Sequence, residues 1–594
     1  MDGLLRDLRY ALRTLRRSPG STGLVILTLA LGIGASTAIF SAVNSVLLRP
    51  LPYDDPSRLV FVGTTEGSRY PSYSSVPDFI DWKQSLTTVE GLAAAQVAGF
   101  AIVGEGTPER VSAARISPDF LSTLGVGPQL GRAFWAEEYR TGAEPVVLLS
   151  HSIWQRRWAG DPNVIGTTFS AEESRAGRVS FRVVGVTPAD FQAPQVVLPG
   201  GAEIYMALPV DDRAYARSRT SRSLRVIGRL KPGVSLEAAQ REAGTLAVAL
   251  AAQHVGAYTG REATLGIGVA SLLGRTVGSA GDELLILLGA SALLLVIGCA
   301  NVANLLLARA TGRAKEIAVR SALGARRGRV LRQLLTESTC LGVAGGVGGI
   351  VIAFAAVQAF RVVGPGDFPR LGEVSVDLPA LAFALGLALI TGMLFGLAPG
   401  VVSSRSEVSE ALREGTGRSS AAEGRTRLRS ALVSAETALA LVVLAGAGLL
   451  INSYLRLQSV ELGFDPDDVS MMEIGLSRSY SSDEQRAAFF RELTDRVRAI
   501  PGVISVSTIV DPPIGYVMWA PPVVLEGPQE GEPPWIPAHM VGPDYFRTMG
   551  IRLLRGRSLT SSDDSGHPLV AVVNETMARE LWPQGDALGR RIRL

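Results

Sequence analysis

The side chains that most often carry chemistry lie scattered along this sequence. The four histidines, His151, His254, His539 and His567, show no His-x-x-x-His spacing and no cysteine lies beside them, which argues against a metal site. The stretch SHS at residues 150–152 places a nucleophile beside a base, but neighbouring residues on a strand point to opposite faces, so we favour a surface or core role. No Gly-x-x-x-x-Gly-Lys-Ser/Thr loop occurs, and EGTGRSS lacks the lysine. We therefore expect no enzyme activity, and neither a metal nor a cofactor bound by this chain.

A basic segment between two apolar runs gives the clearest indication of a function. Residues Ala308–Ser338, ARATGRAKEIAVRSALGARRGRVLRQLLTES, carry eight Arg and Lys side chains. Two further basic segments precede the first apolar run and separate the last two. Because positive charge favours the cytoplasmic side of a membrane, this pattern predicts that the N-terminus and all three basic segments are cytoplasmic. Residues Arg49–Gly281 and Asn452–Leu594 then lie outside.

The composition indicates a membrane protein with large polar domains. Hydrophobic residues make up 47% of the chain and charged residues only 19%, while the net charge is +3. A membrane helix needs roughly 20 mostly apolar residues. The first run resembles a signal peptide in its preceding arginines, but it is longer than the roughly 7–15 apolar residues of a signal peptide, so we favour an uncleaved anchor. The five predicted spans are Gly23–Leu48, Leu284–Leu307, Leu341–Phe360, Leu381–Val402 and Ala431–Ile451.

The predicted spans contain few groups that would serve ion coupling. Glu436 lies about two turns into the fifth span, and we interpret it as a residue near the membrane interface rather than a coupling carboxylate. Asn301 and Asn304 fit hydrogen bonds between helices better than a substrate site. An ion-driven carrier is therefore poorly supported. Small-residue pairs that would let helices approach closely are Gly32–Ser36, Gly345–Gly349 and Gly392–Gly396.

The two outer regions contain an internal repeat. ISPDFLSTLGVGPQLGRAF at Ile116–Phe134 aligns with VGPDYFRTMGIRLLRGRSL at Val541–Leu559. Downstream, PVVLLSHSIWQRRWAGDPNVIG is echoed by PLVAVVNETMARELWPQGDALG, and each predicts a strand, a helix and a glycine turn. Within the first region, FRVVGVTP also predicts a strand, GRLKPGVS predicts a strand that ends in a turn, and Ser235 begins a predicted helix. The second copy stops early, so we expect a truncated chain whose complete form has eight spans.

The basic segment and its flanking runs resemble the MacB/FtsX type of ABC-transporter permease. The residues that match the Arg/Lys-Glu-Ile-x-x-Arg-x-Ala-Leu/Ile-Gly-Ala core of that family are Lys315, Glu316, Ile317, Arg320, Ala322, Leu323, Gly324 and Ala325. The opening DLRYALRTLRRSPG and the later VGPDYFRTMGIRLLRGR are most similar to the duplicated, acidobacterial (ADOP-type) permeases. The resemblance implies that a separate cytoplasmic ATPase, which holds ATP and Mg²⁺, docks on a short helix in this loop.

The residues of the loop fit such a coupling helix physically. Ile317, Val319, Ala322 and Leu323 form one apolar face of a short helix, and Gly324 permits a break after it. The residues alone equally allow a basic helix that binds anionic headgroups and sets the topology. The resemblance favours coupling. The residues expected to couple are Glu316, Ile317, Arg320, Leu323, Gly324, Ala325 and Arg326.

The expected fold is an α-helical transmembrane bundle, with five spans present and eight in a full-length form, and α+β extracytoplasmic domains. The resemblance implies an efflux permease that transmits force from the ATPase to periplasmic domains, in a bacterial inner membrane. The alternative is an FtsX-like regulator that activates a periplasmic or cell-wall partner without moving solute. A periplasmic adaptor, an outer-membrane channel, membrane lipid and a second copy are further expected partners, and nucleic acid is not.

No motif names a substrate. The predicted domains are a cytoplasmic segment (1–20), the first span (21–48), a MacB-like domain (49–281), an FtsX-like domain (282–403) with its coupling loop (309–336), a basic linker (404–430), a span (431–452) and a second, incomplete MacB-like domain (453–594).

Overall fold

A computed structural model of the chain describes most of its residues. The described residues are 9, 13, 16, 19–66, 71–103, 109–173, 177–209, 219, 221–254, 265–312, 327–366, 368–404, 420–476, 480, 482–511, 513, 521, 523–526, 534, 536–564, 566–583 and 585–593.

Thirteen α-helices lie in these residues. They are α1 (Pro19–Val43), α2 (Val76–Ser85), α3 (Phe120–Leu124), α4 (His151–Trp158), α5 (Leu236–Gln253), α6 (Leu272–Val277), α7 (Ala280–Gly312), α8 (Arg327–Val363), α9 (Leu378–Ser404), α10 (Ser420–Gln458), α11 (Asp483–Arg498), α12 (Tyr545–Thr548) and α13 (Glu575–Leu581). A π-helical turn, Asn44–Leu48, continues α1, and short 3₁₀ turns occur at Pro56–Arg58, Ala136–Tyr139, Pro162–Val164 and Leu371–Glu373.

Twelve strands lie in the same described residues. They are β1 (Leu59–Glu66), β2 (Val89–Ile102), β3 (Glu109–Ile116), β4 (Leu130–Gly131), β5 (Val146–Leu149), β6 (Thr168–Glu173), β7 (Gly177–Val186), β8 (Ile204–Ala207), β9 (Arg225–Leu230), β10 (Leu265–Ser271), β11 (Val524–Leu525) and β12 (Ile592–Arg593).

The chain divides into two compact units. Residues Met1–Leu51 and Val277–Ser459 form the membrane unit, and Pro52–Thr276 with Val460–Leu594 form the outer unit. Within the described part of the chain, four helical segments are long and apolar enough to cross a membrane: Pro19–Leu48, Ala280–Leu305, Leu335–Val363 and Val433–Gln458. The fourth predicted span lies in α9, whose apolar described stretch, Leu378–Leu394, is shorter. The sequence prediction of a membrane protein with an α+β outer fold is thus confirmed.

The helices of the membrane unit extend beyond the apolar runs that predict them. The helix α7 continues to Gly312, five residues past its predicted span, and α8 begins at Arg327, well before the predicted Leu341. Apolar composition predicts only the part of a helix that needs lipid, whereas backbone hydrogen bonds within the helix carry it further into water. Both extensions lead toward the basic segment.

The outer unit is built on a mixed ten-stranded sheet that comes entirely from the first copy. Its strand order is β10-β1-β9-β2-β3-β8-β5-β7-β4, with β6 paired to β2 and β7. The pairs β3–β8 and β5–β7 are parallel, and the other pairs are antiparallel. The strands predicted in PVVLLS, FRVVGVTP and GRLKPGVS are β5, β7 and β9, which confirms those three predictions.

Two apolar cores cover this sheet. The first packs α2 and α5 against β1, β2, β9 and β10, with Phe79 and Trp82 fully buried. The second packs α4 between β3, β5, β7 and β8, around Phe100, Trp154 and Phe181. Helix α5 begins where the sequence predicts, because the Ser235 hydroxyl accepts a hydrogen bond from the Ala238 N–H and caps the helix.

The second copy has much less regular structure. Its described strands, β11 and β12, pair only with each other, through Val524–Arg593 and Leu525–Ile592. The helix predicted in PLVAVVNETMAREL is α13, but the strand predicted before it does not form. In the first copy the equivalent strand, β5, pairs with β7 and β8. The residues described in the second copy supply no such neighbours, and an unpaired strand gains no ladder hydrogen bonds.

Candidate functional site: the membrane helices and the repeated outer motif

The predicted coupling residues connect two helices of the membrane unit. Helix α7 ends at Gly312 and α8 begins at Arg327, so residues 313–326 join them. Glu316, Ile317, Arg320, Leu323, Gly324, Ala325 and Arg326 all lie outside the residues that the structure describes. Their coupling role therefore stays a prediction, and the structure describes the helices on either side of them.

Helices α1 and α8 pack at backbone contact. A methyl group placed at Gly34 would lie 2.9 Å from the carbonyl oxygen of Gly349, and one placed at Gly345 would lie 2.5 Å from the Leu29 Cβ. Only glycine permits this approach, so the Gly345–Gly349 pair lies at a helix interface, as the small-residue spacing suggests. The two helices are therefore held in one register.

Helices α8 and α9 approach each other equally closely. A methyl group placed at Gly342 would overlap the carbonyl oxygen of Ala388, and one placed at Gly392 would lie 3.0 Å from the Thr339 Cα. Gly396 lies where side chains are not described. The rings of Phe40 and Phe383 stack at 4.2 Å between centroids and join α1 to α9 directly. Helices α1, α8 and α9 thus form one tightly packed body.

The contact between α1 and α7 is looser. A methyl group placed at Gly32 would lie 2.9 Å from the Leu295 Cδ1 but 3.6 Å from the Leu295 Cα, so the closest contact is with a flexible side-chain tip and not with backbone. The Ser36 hydroxyl donates to the Ser291 carbonyl oxygen at a long 3.4 Å. Because side chains yield more easily than backbone, α7 has more freedom against α1 than α8 has.

Two predictions about polar groups in the spans have different outcomes. Among the described residues the buried Asn304 Oδ1 has no hydrogen-bond partner, and Asn301 is exposed, so the described contacts do not include the expected hydrogen bonds between helices. Their amides lie on α7, where the packing is looser. Glu436 lies in the first turn of the apolar segment Val433–Gln458, which agrees with a residue near the interface.

A buried arginine closes the end of α1 that leads to the outer unit. The Arg370 guanidinium donates to the carbonyl oxygen of Arg49 at 2.7 Å and to a Glu373 carboxylate oxygen at 2.6 Å. Its side chain is only 4% exposed, and weaker contacts at 3.5 Å reach the Val46 and Pro50 carbonyl oxygens. Carbonyl groups at a helix end carry partial negative charge, so a cation placed there stabilises that end.

A carboxylate makes a second connection at the same level. The Asp377 Oδ1 accepts from the Ala380 N–H at 3.1 Å and caps α9, while its Oδ2 accepts from the Asn44 side-chain amide at 2.8 Å. In the sequence, Arg370 and Asp377 are merely charges in a short loop, and nothing in their spacing marks them. Two of their partners, Arg49 for Arg370 and Asn44 for Asp377, lie more than three hundred residues away along the chain, so only the folded structure brings these groups together.

The outer unit holds both copies of the repeated motif, with the same local contacts. In the first copy Arg132 donates twice to the Glu138 carboxylate, at 2.6 and 2.8 Å, and also to the Ala133 carbonyl oxygen. Burial raises the pKa of Glu138, but hydrogen bonds from Arg132 and from the Trp135 N–H outweigh burial and hold this pKa below its usual range.

The second copy reproduces the pair with a shorter acid. Arg557 donates twice to the Asp563 carboxylate, each time at 2.7 Å, and also to the Ser558 carbonyl oxygen. These hydrogen bonds lower the pKa of Asp563. An ion pair from the last turn of a helix also recurs. Lys83 of α2 pairs with Asp119 in the first copy, and Arg498 of α11 pairs with Asp544 in the second. The repeat is therefore structural, and its charged residues hold turns together.

The remaining sequence candidates have structural roles. Ser150 is the N-cap of α4 and accepts from the Ile153 N–H, so SHS begins a helix and does not lie within the strand that the sequence suggested. The His151 ring packs edge-on against Trp154. Cys299 and Cys340 are free thiols. In the described part of the chain, no three His, Cys, Asp or Glu side chains cluster in a way that could hold a metal ion.

Comparison with known sequences identifies two domain types. The MacB-like periplasmic core domain matches residues 22–246 and again 378–594, which together exceed half of the chain, and the FtsX-like permease C-terminal domain matches residues 288–408. The first match includes Ile116–Phe134 and the second includes Val541–Leu559, the two halves of the repeat.

Individual relatives and one solved structure are similar to parts of this chain. The macrolide export ATP-binding/permease protein MacB of Chromobacterium violaceum is 27% identical over 319 residues, 50% of this chain and 46% of that protein. The pyoverdine export ATP-binding/permease protein PvdT of Pseudomonas syringae pv. syringae is 39% identical over 134 residues, 22% of this chain and 19% of that protein. The periplasmic region of MacB from Actinobacillus actinomycetemcomitans aligns at 14% identity and a TM-score of 0.27, over 39% of this chain and 94% of that structure.

The membrane helices and the α+β outer fold define the class: a multi-pass membrane protein with a periplasmic domain. Within that class, the chain belongs to the MacB/FtsX-type ABC permease family. The chain spans about half the length, or less, of the curated relatives described above. The resemblance seen in the sequence is thereby confirmed, while the domain boundaries drawn from the sequence stay predictions.

Proposed function

We propose that this chain is the permease subunit of an ABC export system in a bacterial inner membrane. A separate ATPase binds ATP and Mg²⁺, docks on residues 313–326, and moves the periplasmic domains through the membrane helices. The relatives MacB and PvdT are each named as an ATP-binding/permease protein, so their names assign both functions to one protein. This sequence has no phosphate-binding loop, so the ATPase belongs to another chain or another segment.

The FtsX-like match over residues 288–408 is the observation that carries the proposal. It covers most of α7, the joining segment, α8 and α9, and in this region α7 and α8 continue beyond their apolar runs toward the segment. A segment held by two helices that enter the membrane is well placed to receive a force. The tight packing of α8 on α1 then gives that force a path to the first outer domain, since α1 leads into it along the chain.

Co-purification tests the docking step. Glu316→Lys reverses a charge in the segment and Leu323→Asp places a carboxylate on its apolar face, so each is expected to abolish recovery of the ATPase with the full chain. The matched control is Arg413→Glu, a charge reversal in the other basic segment. Equal membrane expression of all three variants is required. Undiminished ATPase recovery with both Glu316→Lys and Leu323→Asp would overturn the docking role.

A second measurement addresses what the force moves. Pull-down through the outer domain that recovers an adaptor, an outer-membrane channel or lipid cargo supports export. Recovery of a cell-wall hydrolase alone supports the regulator alternative instead. Light scattering of the purified complex distinguishes one copy of the chain from two.

A further inference from the structure

The segment between α8 and α9, residues 364–377, is bound to the outer end of α1. Helix α8 ends where the Gly364 N–H donates to the Phe360 carbonyl oxygen at 2.8 Å, and the Phe360 and Phe368 rings then meet edge to face at 5.1 Å. From here the chain folds back over the π-helical turn Asn44–Leu48 through Arg370. All of these residues belong to the membrane unit.

The backbone at Arg370 shows that this arrangement is held in place. Its φ is 55°, in the left-handed region that a side-chain-bearing residue rarely occupies. Such a conformation persists only where surrounding contacts determine it. The contacts here are the Glu373 carboxylate on one side of the guanidinium and the Arg49 carbonyl oxygen on the other. Arg370 thus links its own turn to the end of α1 with a buried, charge-assisted hydrogen-bond network.

Asp377 completes the connection from the other side of the segment. One of its oxygens caps α9, and the other accepts from Asn44, the first residue of the π-helical turn. A single carboxylate therefore joins the beginning of α9 to the end of α1. Helices α8 and α9 already pack on α1 through glycines and through the stacked rings of Phe40 and Phe383, and these polar contacts extend that packing past Phe40 to the end of α1.

We propose that Arg370 and Asp377 are positioning residues that make the outer end of α1 move together with α8 and α9. Displacement of α8 by the joining segment 313–326 is then passed to Leu51 and onward along the chain into the first outer domain. Without these contacts, α8 moves while the π-helical turn Asn44–Leu48 unwinds locally and absorbs the motion. This inference deepens the proposed function and rests on it.

An exchange of the hydrogen-bonding pair tests the inference without depending on fold loss. Asn44→Asp places two carboxylates against each other, whereas the double variant Asn44→Asp, Asp377→Asn restores a donor opposite an acceptor and keeps an oxygen for the α9 cap. Arg370→Met is the companion variant, and Arg361→Met is its control, because Arg361 lies in the last turn of α8 and, among the residues that the structure describes, donates only to the Gly372 carbonyl oxygen at 3.2 Å.

Backbone hydrogen exchange of the full chain in detergent gives the first readout. We expect Asn44→Asp and Arg370→Met to speed exchange at residues 44–49 by about tenfold, the loss of roughly one buried hydrogen bond. The double variant should return to within about threefold of the wild type. If exchange in both single variants equalled that of the wild type, Asn44–Asp377 and Arg370–Arg49 would not stabilise the outer end of α1, and the inference would be overturned.

The second readout is the response of the outer domain. With the co-purified ATPase present, addition of Mg²⁺ and a non-hydrolysable ATP analogue should change exchange at β1 and β9 in the wild type and in the double variant. Asn44→Asp should retain the ATPase and lose that change. A full response in Asn44→Asp would overturn the inference. If the wild type recovered no ATPase, the proposed function would be overturned, and the exchange result at the outer end of α1 would still stand.

Discussion

In the first outer copy Arg132 donates two hydrogen bonds to Glu138, Ser150 caps α4, and Gly125 lies in the left-handed region at φ 74°. The second copy repeats each of these contacts. Arg557 donates two hydrogen bonds to Asp563, Asn574 caps α13, and Gly550 has φ 63°. The repeated residues therefore produce the same local geometry twice.

The two copies differ in how much of their apolar surface is buried. Val146 and Val147 of β5 are completely covered in the first copy, whereas Leu569 and Val570, in the equivalent stretch, are 89% and 46% exposed. Helix α2 buries Phe79 and Trp82, but α11 has no buried residue. Caps, turns and short ion pairs form from neighbouring residues, while a core needs strands that come from distant parts of the chain. Substitutions in the buried core should therefore affect the two copies differently, and substitutions in local contacts should affect them alike.

Core truncation should produce the largest difference between the copies. Phe79→Ala removes a ring that is 2% exposed in the first core, and we expect a loss of about 3–5 kcal/mol. Phe490→Ala on α11 removes a half-buried ring and should cost about 1 kcal/mol or less. Hydrogen exchange of the outer-unit strands and of α11, measured on the full chain, gives both values.

Equal losses for Phe79→Ala and Phe490→Ala would contradict the comparison, since they would mean that α11 is buried in the folded protein as deeply as α2. Expression of each variant at wild-type level in the membrane is the control.

Loss of the repeated arginine should give the next largest difference. Arg132→Met leaves the Glu138 carboxylate, whose side chain is 6% exposed, without its partner, and we expect a loss of about 2–3 kcal/mol in the first copy. Arg557→Met removes a pair that water reaches, so its change in stability should be too small to measure. Exchange at residues 130–139 and 555–564 provides the comparison, and a larger effect at Arg557 would refute it.

The acid of the same pair predicts a pH dependence. The folded pKa of Glu138 lies below its value in the unfolded chain, so its contribution to stability is present at neutral pH and disappears as the pH falls through the folded pKa, below about 4.3. Glu138→Gln should therefore be less stable than the wild type at pH 7, and the difference should shrink as the pH falls through the folded pKa. Thermal unfolding of both proteins across that range tests this, and parallel curves would exclude the pair as the cause.

The same division shows what the sequence can predict. Helix α5, its Ser235 cap and the strands β5, β7 and β9 are predicted correctly, since each depends on periodicity or on neighbouring residues. The strand predicted before α13 is wrong, because a strand exists only with partners that its own residues do not specify. In the membrane unit, glycine spacing marks the α1–α8 interface, but no local pattern reveals that Asn44 contacts Asp377, which is 333 residues away along the chain.

Glycine substitution should distinguish the copies by a smaller amount. Both Gly125→Ala and Gly550→Ala force alanine into the left-handed region, which costs about 1–2 kcal/mol. A methyl group at Gly125 would also overlap the Asp54 side chain, while at Gly550 it would lie 2.9 Å from the Asp465 Cβ. Asp465 lies in the less buried copy and can shift. We expect Gly125→Ala to cost about 1 kcal/mol more, measured by exchange at α3 and α12; the reverse order would contradict this.

Helix caps should show no difference at all, and this makes them the sharpest test. Ser150 accepts from the Ile153 N–H at 3.3 Å, and Asn574 accepts from the Met577 N–H at 2.8 Å. A cap acts on the first turn of its own helix, whatever covers the other faces, so Ser150→Ala and Asn574→Ala should each cost about 1 kcal/mol. Exchange of the first-turn amides of α4 and α13 gives the two values. If Asn574→Ala were silent while Ser150→Ala were costly, even the local contacts would depend on the core, and the repeat would encode geometry only where the sheet is complete.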